Sequence, residues 1–248
     1  MRESIKIINF IMKNLIVANW KMNPASQKEA KEIFDATRDG VKGLGQEIVI
    51  CPPSVYLYAS VFGKGIVSMG AQNVFWEDKG AFTGEVSAVM LKDLGVEYVI
   101  IGHSERRKYF GETDEIINKK IKKSLEAGLK IIFCVGETEE ERSENKQEEV
   151  VERQIKKGLE GVNDILGMAI AYEPVWAIGT GKACGVEDAK KMQEFIRKLA
   201  PEARVLYGGS VKSENSGDYI KQAGANGLLV GGASLNAEEF VKIVKSAE

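Results

Sequence analysis

Met168-Ala169-Ile170-Ala171-Tyr172-Glu173-Pro174 is apolar at five successive positions and then turns abruptly to a carboxylate and a proline. A strand with one face in water alternates apolar and polar side chains. A run without alternation suits a parallel strand covered on both faces. Seven more runs of this kind lie on either side: Leu15–Ala18, Ile48–Cys51, Val67–Ala71, Tyr98–Ile101, Ile131–Val135, Val205–Tyr207 and Leu228–Val230. Each gap between them is long enough for the helical crossover that parallel strands require. Eight such units can close into a barrel or form an open doubly wound sheet, and regular repetition with this chain length favours the barrel. The predicted fold is therefore α/β, a single (β/α)8 barrel of parallel strands.

Helical signals fill the gaps. Ser26 and Glu29 have capping-box spacing ahead of Ala30, Ile33 and Phe34, with Gly40 as the stop. Thr113 caps a helix carrying Ile117, Ile121 and Leu125, and Asp114 and Glu115 in its first turn suit the helix dipole. The charged stretch from Glu139 to Gly161 keeps an apolar stripe of Val150, Val151, Ile155 and Leu159. The acidic run Glu139–Glu141 reads as a solvated helix start rather than a partner patch. A further helix around Met192, Phe195, Ile196 and Leu199 stops before Pro201, and Asn236 with Glu239 opens the last one. Nothing divides the chain internally. Residues 1–11 read as an extension before a barrel domain over 12–248.

The 248 residues carry a net charge of −2, so the basic excess typical of nucleic-acid binding is lacking. The one histidine, His103, rules out a multi-histidine metal site. Cys51, Cys134 and Cys184 are odd in number and widely spaced, which argues against a disulfide framework or a cysteine metal site and fits reduced thiols in the cytoplasm. The apolar stretch Ile5–Met12 is too short to span a bilayer, and no membrane association is expected.

In a barrel of this kind the reactive groups sit at the C-terminal ends of the strands. The first strand ends in Asn19-Trp20-Lys21, the fourth in Gly102-His103-Ser104-Glu105 and the sixth in Glu173-Pro174. Taken singly, Lys21 is an ordinary loop lysine, and Glu173 or His103 is as readily structural as functional. An amine, an imidazole and a carboxylate aimed at one mouth form a more specific pattern. Gly208-Gly209-Ser210 and Gly231-Gly232 follow strands seven and eight, where backbone N–H groups can cradle an anion. Gly179-Thr180-Gly181 adds a third glycine-rich turn, but it fits neither a P-loop nor GxGxxG, so no nucleotide is indicated.

Asn19-Trp20-Lys21-Met22-Asn23, Gly102-His103-Ser104-Glu105-Arg106-Arg107, the run from Tyr172 to Lys182, Tyr207-Gly208-Gly209-Ser210 and Gly231-Gly232 together resemble the signature segments of the triosephosphate isomerase family, in that family's order and over nearly the whole chain from Met12. The resemblance implies a TIM barrel without metal or cofactor that interconverts dihydroxyacetone phosphate and glyceraldehyde 3-phosphate, a small phosphorylated triose, through an enediol or enediolate. It implies Glu173 as the base, His103 as a neutral electrophile, Lys21 as the source of positive charge and Asn19 as a further donor, with Glu105 in support. Gly179, Ser210, Gly231 and Gly232 would hold the phosphate, and Pro174–Lys182 would be a closing loop, in which Ala183 and Cys184 depart from the usual residues after it. It also implies a homodimer or higher homo-oligomer, in which loop 72–85, with Phe75, Trp76 and Phe82, brings Thr83 near the neighbour's Lys21 or Glu105. Two rivals stay open: an aldolase-like barrel forming a Schiff base at Lys21, and a non-catalytic binding protein.

Overall fold

The structure is a computed structural model that describes residues 13–58, 65–178 and 183–248. The strands are β1 (Leu15–Asn19), β2 (Glu47–Cys51), β3 (Val67–Ala71), β4 (Tyr98–Ile101), β5 (Lys130–Val135), β6 (Ala169–Tyr172), β7 (Arg204–Tyr207) and β8 (Gly227–Val230). Every neighbouring pair is parallel, and β8 pairs back onto β1, closing the barrel in sequence order. The proposed boundary at residue 12 and the extension before it lie outside the described residues.

The unbroken apolar runs have a direct cause. Alternate strand residues separate into two buried clusters. Leu15, Val17, Val49, Ile100 and Ile132 fill the barrel interior, whereas Ile16, Ala18, Ile48, Val99 and Ile131 pack under the surrounding helices. Both faces of each strand are covered, so neither parity is polar.

The helices of the described residues are α1 (Gln27–Gly40), α2 (Ala88–Asp93), α3 (Ser104–Phe110), α4 (Asp114–Glu126), α5 (Glu139–Ser143), α6 (Gln147–Gly158), α7 (Val186–Leu199), α8 (Ser216–Lys221) and α9 (Ala237–Ser246). Ser26, Thr113 and Asn236 accept from the backbone N–H of Glu29, Ile116 and Glu239, as their spacing predicts. α1 ends at Gly40, which is its last residue rather than the one just past it. It lies within the last turn, where a Cβ would meet Val241 of α9 at 2.6 Å, so glycine there serves close helix packing. The stretch from Glu139 to Gly161 divides into α5 and α6, because Asn145 between them takes a left-handed φ of 58°. Thr138 and Glu141 form the capping box that starts α5. None of the described helices is long and apolar enough to cross a membrane.

Glu47, Tyr98, Lys130 and Arg204 are the first residues of β2, β4, β5 and β7, so they converge on the barrel floor, opposite the mouth. Arg204 Nη1 lies 2.6 Å from Glu47 Oε2, the Tyr98 hydroxyl donates to Glu47 Oε1, and Lys130 Nζ is 3.2 Å from the Tyr98 oxygen. Partial burial pushes the Glu47 carboxyl up. The hydrogen bonds from Tyr98 and Arg204, with the charges of Arg204 and Lys130, outweigh it and hold the carboxyl below its ordinary value of 4.5. A carboxyl depressed on folding contributes stability above its unfolded pKa and loses it as pH falls through the folded value. Glu47→Gln is expected to lower stability by about 1–2 kcal/mol at pH 7, since the carboxylate keeps some solvent. The difference from wild type should shrink below pH 4.5. Denaturant unfolding at pH 7 and pH 3.5 checks this, and an equal deficit at both values would contradict it.

Candidate active site

Asn19 ends β1, and the chain then bends sharply. Lys21 has a φ of 54°, a left-handed conformation that an L-residue adopts at a cost. Its N–H donates to Asn19 Oδ1 at 3.1 Å, and Gln72 Nε2, just past β3, donates to the carbonyls of both Lys21 and Cys51 at 2.8 Å. Three strand ends thus fix the lysine backbone. The Lys21 ammonium pairs with Glu105 Oε1.

His103 follows β4 and caps α3. Its Nδ1 accepts from the Glu105 N–H at 3.2 Å. An accepting Nδ1 carries no proton, so the ring proton is on Nε2. Nε2 lies 3.0 Å from Glu173 Oε1, while Glu173 Oε2 accepts from the Ser104 N–H at 2.9 Å. Glu173 is 2% exposed and His103 6%. The Glu173 N–H continues the ladder by donating to Val135 O at 2.8 Å. Beside it Gly136 has no room for a side chain: a Cβ would collide with the Glu173 carbonyl. Burial, with Glu173 adding to it, pushes the Cys134 thiol well up, so this is an inert core thiol.

Asn19, Lys21, His103, Glu173, Ser210, Gly231 and Gly232 line one cleft of about 460 Å³. The chain after β8 turns into a short 3-10 segment, Gly232–Leu235, tied down where the Ser234 N–H and hydroxyl donate to the Gly231 carbonyl at 2.9 and 2.7 Å. Glu105 lines a second cleft of about 310 Å³ that shares Asn19, Lys21 and His103 with the first and adds Met22, Gln72 and Phe110. Gly179 and the loop residues up to Lys182 lie outside the described residues.

The sequence reading missed three supports. Gln72 and the Ser104 N–H are visible only once the strands are assembled. Glu137 had a signal, because it comes two residues after β5, close to the strand end like Glu173, which comes directly after β6. It is fully buried and its Oε1 accepts from Tyr172 OH at 3.1 Å, Trp176 Nε1 at 2.9 Å and Arg142 Nη1 at 3.2 Å, fastening the 3-10 turn Val175–Ala177 that follows Glu173.

The family model described as triosephosphate isomerase matches residues 14–247. The chain belongs to the triosephosphate isomerase family. Among curated relatives, the triosephosphate isomerase of Aquifex aeolicus is 48% identical over 95% of this chain and 100% of its own length. That of Alkaliphilus oremlandii is 46% identical over 94% and 98%, and that of Dictyoglomus thermophilum 47% over 94% and 99%. A triosephosphate isomerase is an enzyme of the isomerase class, so the binding-protein rival falls. The aldolase rival falls with it.

Proposed function

We propose that the chain interconverts dihydroxyacetone phosphate and glyceraldehyde 3-phosphate, with Glu173 moving the proton between the two carbons. The observation that carries this reading is one buried carboxylate, one Nε2–H and one ammonium facing a single cleft. Both Glu173 oxygens are engaged, one by His103 and one by the Ser104 N–H. A substrate oxygen that takes the His103 Nε2–H releases Oε1 to act as the base. Glu173 then accepts a proton from the carbon beside the carbonyl, the electron pair moves onto the carbonyl oxygen, and the enediolate forms. Return of that proton to the neighbouring carbon, with transfer of the hydroxyl proton, gives the isomer. His103 and Lys21 offset the charge on the oxygens, and preorganised donors of this kind are commonly worth about 3–4 kcal/mol each. Asn19 braces the bend that carries Lys21. The substrate phosphate sits on the rim formed by Ser210, Gly231 and Gly232, with Gly179 as the further phosphate contact that the family likeness implies. Conversion of glyceraldehyde 3-phosphate in a coupled assay, without added metal or cofactor, tests the reading. A folded protein that fails to turn it over would refute it.

The working unit is at least a homodimer. Phe82 and Met22 are exposed, the Phe75 and Phe82 rings meet tilted at 46° with centroids 4.8 Å apart, and the second cleft opens beside Lys21 and Glu105. In that assembly Thr83 of one protomer comes near Lys21 or Glu105 of the other. Light scattering at micromolar concentration is expected to give twice the chain mass or more, and a monomer mass would overturn the assembly. The three cysteines are free and buried, in keeping with a reducing cytoplasm.

A further inference from the structure

Behind the phosphate rim lies a residue that touches neither cleft. Tyr219, on α8, is 1% exposed and stacks on Tyr207 of β7, with ring centroids 3.7 Å apart and planes 14° from parallel. The Tyr207 ring lies directly under Gly209, so closely that a Cβ on Gly209 would collide with the Tyr207 hydroxyl. On its other side, the Tyr219 hydroxyl donates to the Cys184 carbonyl at 2.7 Å. Cys184 is buried, comes five residues after Gly179 and precedes α7. One side chain thus joins two segments: the glycine turn after β7, and the point where the chain following β6 returns to the core.

We propose that Tyr219 is a positioning residue for phosphate binding: its ring fixes Tyr207 beneath Gly208-Gly209-Ser210, and its hydroxyl fixes the Cys184 backbone. The inference rests on the reading that the substrate phosphate occupies this rim. Stacked aromatic rings in a close-packed interior transmit displacement, because the interior has little free volume to absorb it. A buried carbonyl deprived of its donor must shift toward another partner or stay unpaired. Either response moves backbone groups on the phosphate side of the cleft and leaves Glu173, His103 and Lys21, which hang from β6, β4 and β1, in place.

The test compares wild type with Tyr219→Phe, which keeps the stack and deletes the hydroxyl, and Tyr219→Leu, which deletes both. Inorganic phosphate serves as the competitive probe, and glyceraldehyde as the substrate without a phosphate. In Tyr219→Phe the inhibition constant for phosphate and the KM for glyceraldehyde 3-phosphate are expected to rise about fivefold, the equivalent of roughly 1 kcal/mol, while kcat and glyceraldehyde turnover stay within about twofold. Tyr219→Leu is expected to show a larger rise with the same split, and if it does not fold, Tyr219→Phe decides alone. Unchanged phosphate inhibition in a folded Tyr219→Phe overturns the inference and leaves the phosphate rim standing. Equal losses on both substrates reduce Tyr219 to general structural support and also overturn it. A wild type that is not inhibited by phosphate and does not prefer the phosphorylated substrate overturns both this inference and the function on which it rests.

Discussion

Glu173→Gln is expected to lower kcat by about 10²–10⁴-fold, the range a positioned general base contributes. The substitution is nearly isosteric. A glutamine oxygen can still accept from the Ser104 N–H, 2.9 Å from Glu173 Oε2, so the side chain keeps its place. What disappears is the capacity to take a proton from carbon. On the proposed mechanism KM should change little, because Glu173 acts on the reacting carbon and not on the phosphate. Glu173→Asp keeps the carboxylate but draws it back by about one methylene, and a misplacement of that size can cost about 10²-fold. Steady-state rates in the coupled assay, with thermal unfolding to show that each variant is folded, decide the matter. Activity surviving in Glu173→Gln would remove Glu173 as the base and leave the substrate assignment intact.

The second large effect belongs to Lys21→Met, expected to lower kcat/KM by at least about 10²-fold through loss of charge stabilisation worth about 3–4 kcal/mol. Methionine keeps an unbranched side chain one atom shorter and removes the ammonium. Its partner Glu105 is 40% exposed at the side chain, so it can hydrate once unpaired. Loss of activity therefore cannot be assigned to a stranded buried carboxylate. The double variant Lys21→Met/Glu105→Gln separates the two causes: it should be as inactive as the single variant. Recovery of activity in the double variant would make Lys21 a neutraliser of Glu105 rather than a group acting on substrate.

The barrel was legible because its signal repeats. Eight apolar runs each predicted a strand, and their bounds fell within a residue of the observed ones. Most of the small shortfall is polar: Glu47, Lys130 and Arg204 begin their strands yet break the apolar pattern, because the floor of the barrel is where strand ends meet one another and water. Caps were legible where one side chain reaches one N–H three residues on, as at Ser26 and Thr113. The short helices α2, α3 and α8 were not seen, since six or seven residues give too little periodicity to stand out. For the candidate site, the strand-end filter picked out Asn19, Lys21, His103 and Glu173, which line one cleft, because each ends its strand or follows it within two residues. It could not reveal Gln72 reaching two foreign carbonyls, or the Ser104 N–H turned toward a carboxylate 69 residues away in the chain. Such contacts belong to the assembled mouth, not to any one segment.

The left-handed backbone at Lys21 carries a warning for protein engineering. At a φ of 54° an unbranched, Cβ-free residue is the more comfortable occupant, and a lysine is held there against its own preference. A library ranked only by heat resistance would drift toward glycine at this position and, on the role proposed for Lys21, accumulate robust, inactive barrels. Stability-guided redesign of this chain therefore has to hold position 21 fixed, since the score that such a procedure improves runs there against the catalytic role proposed for Lys21.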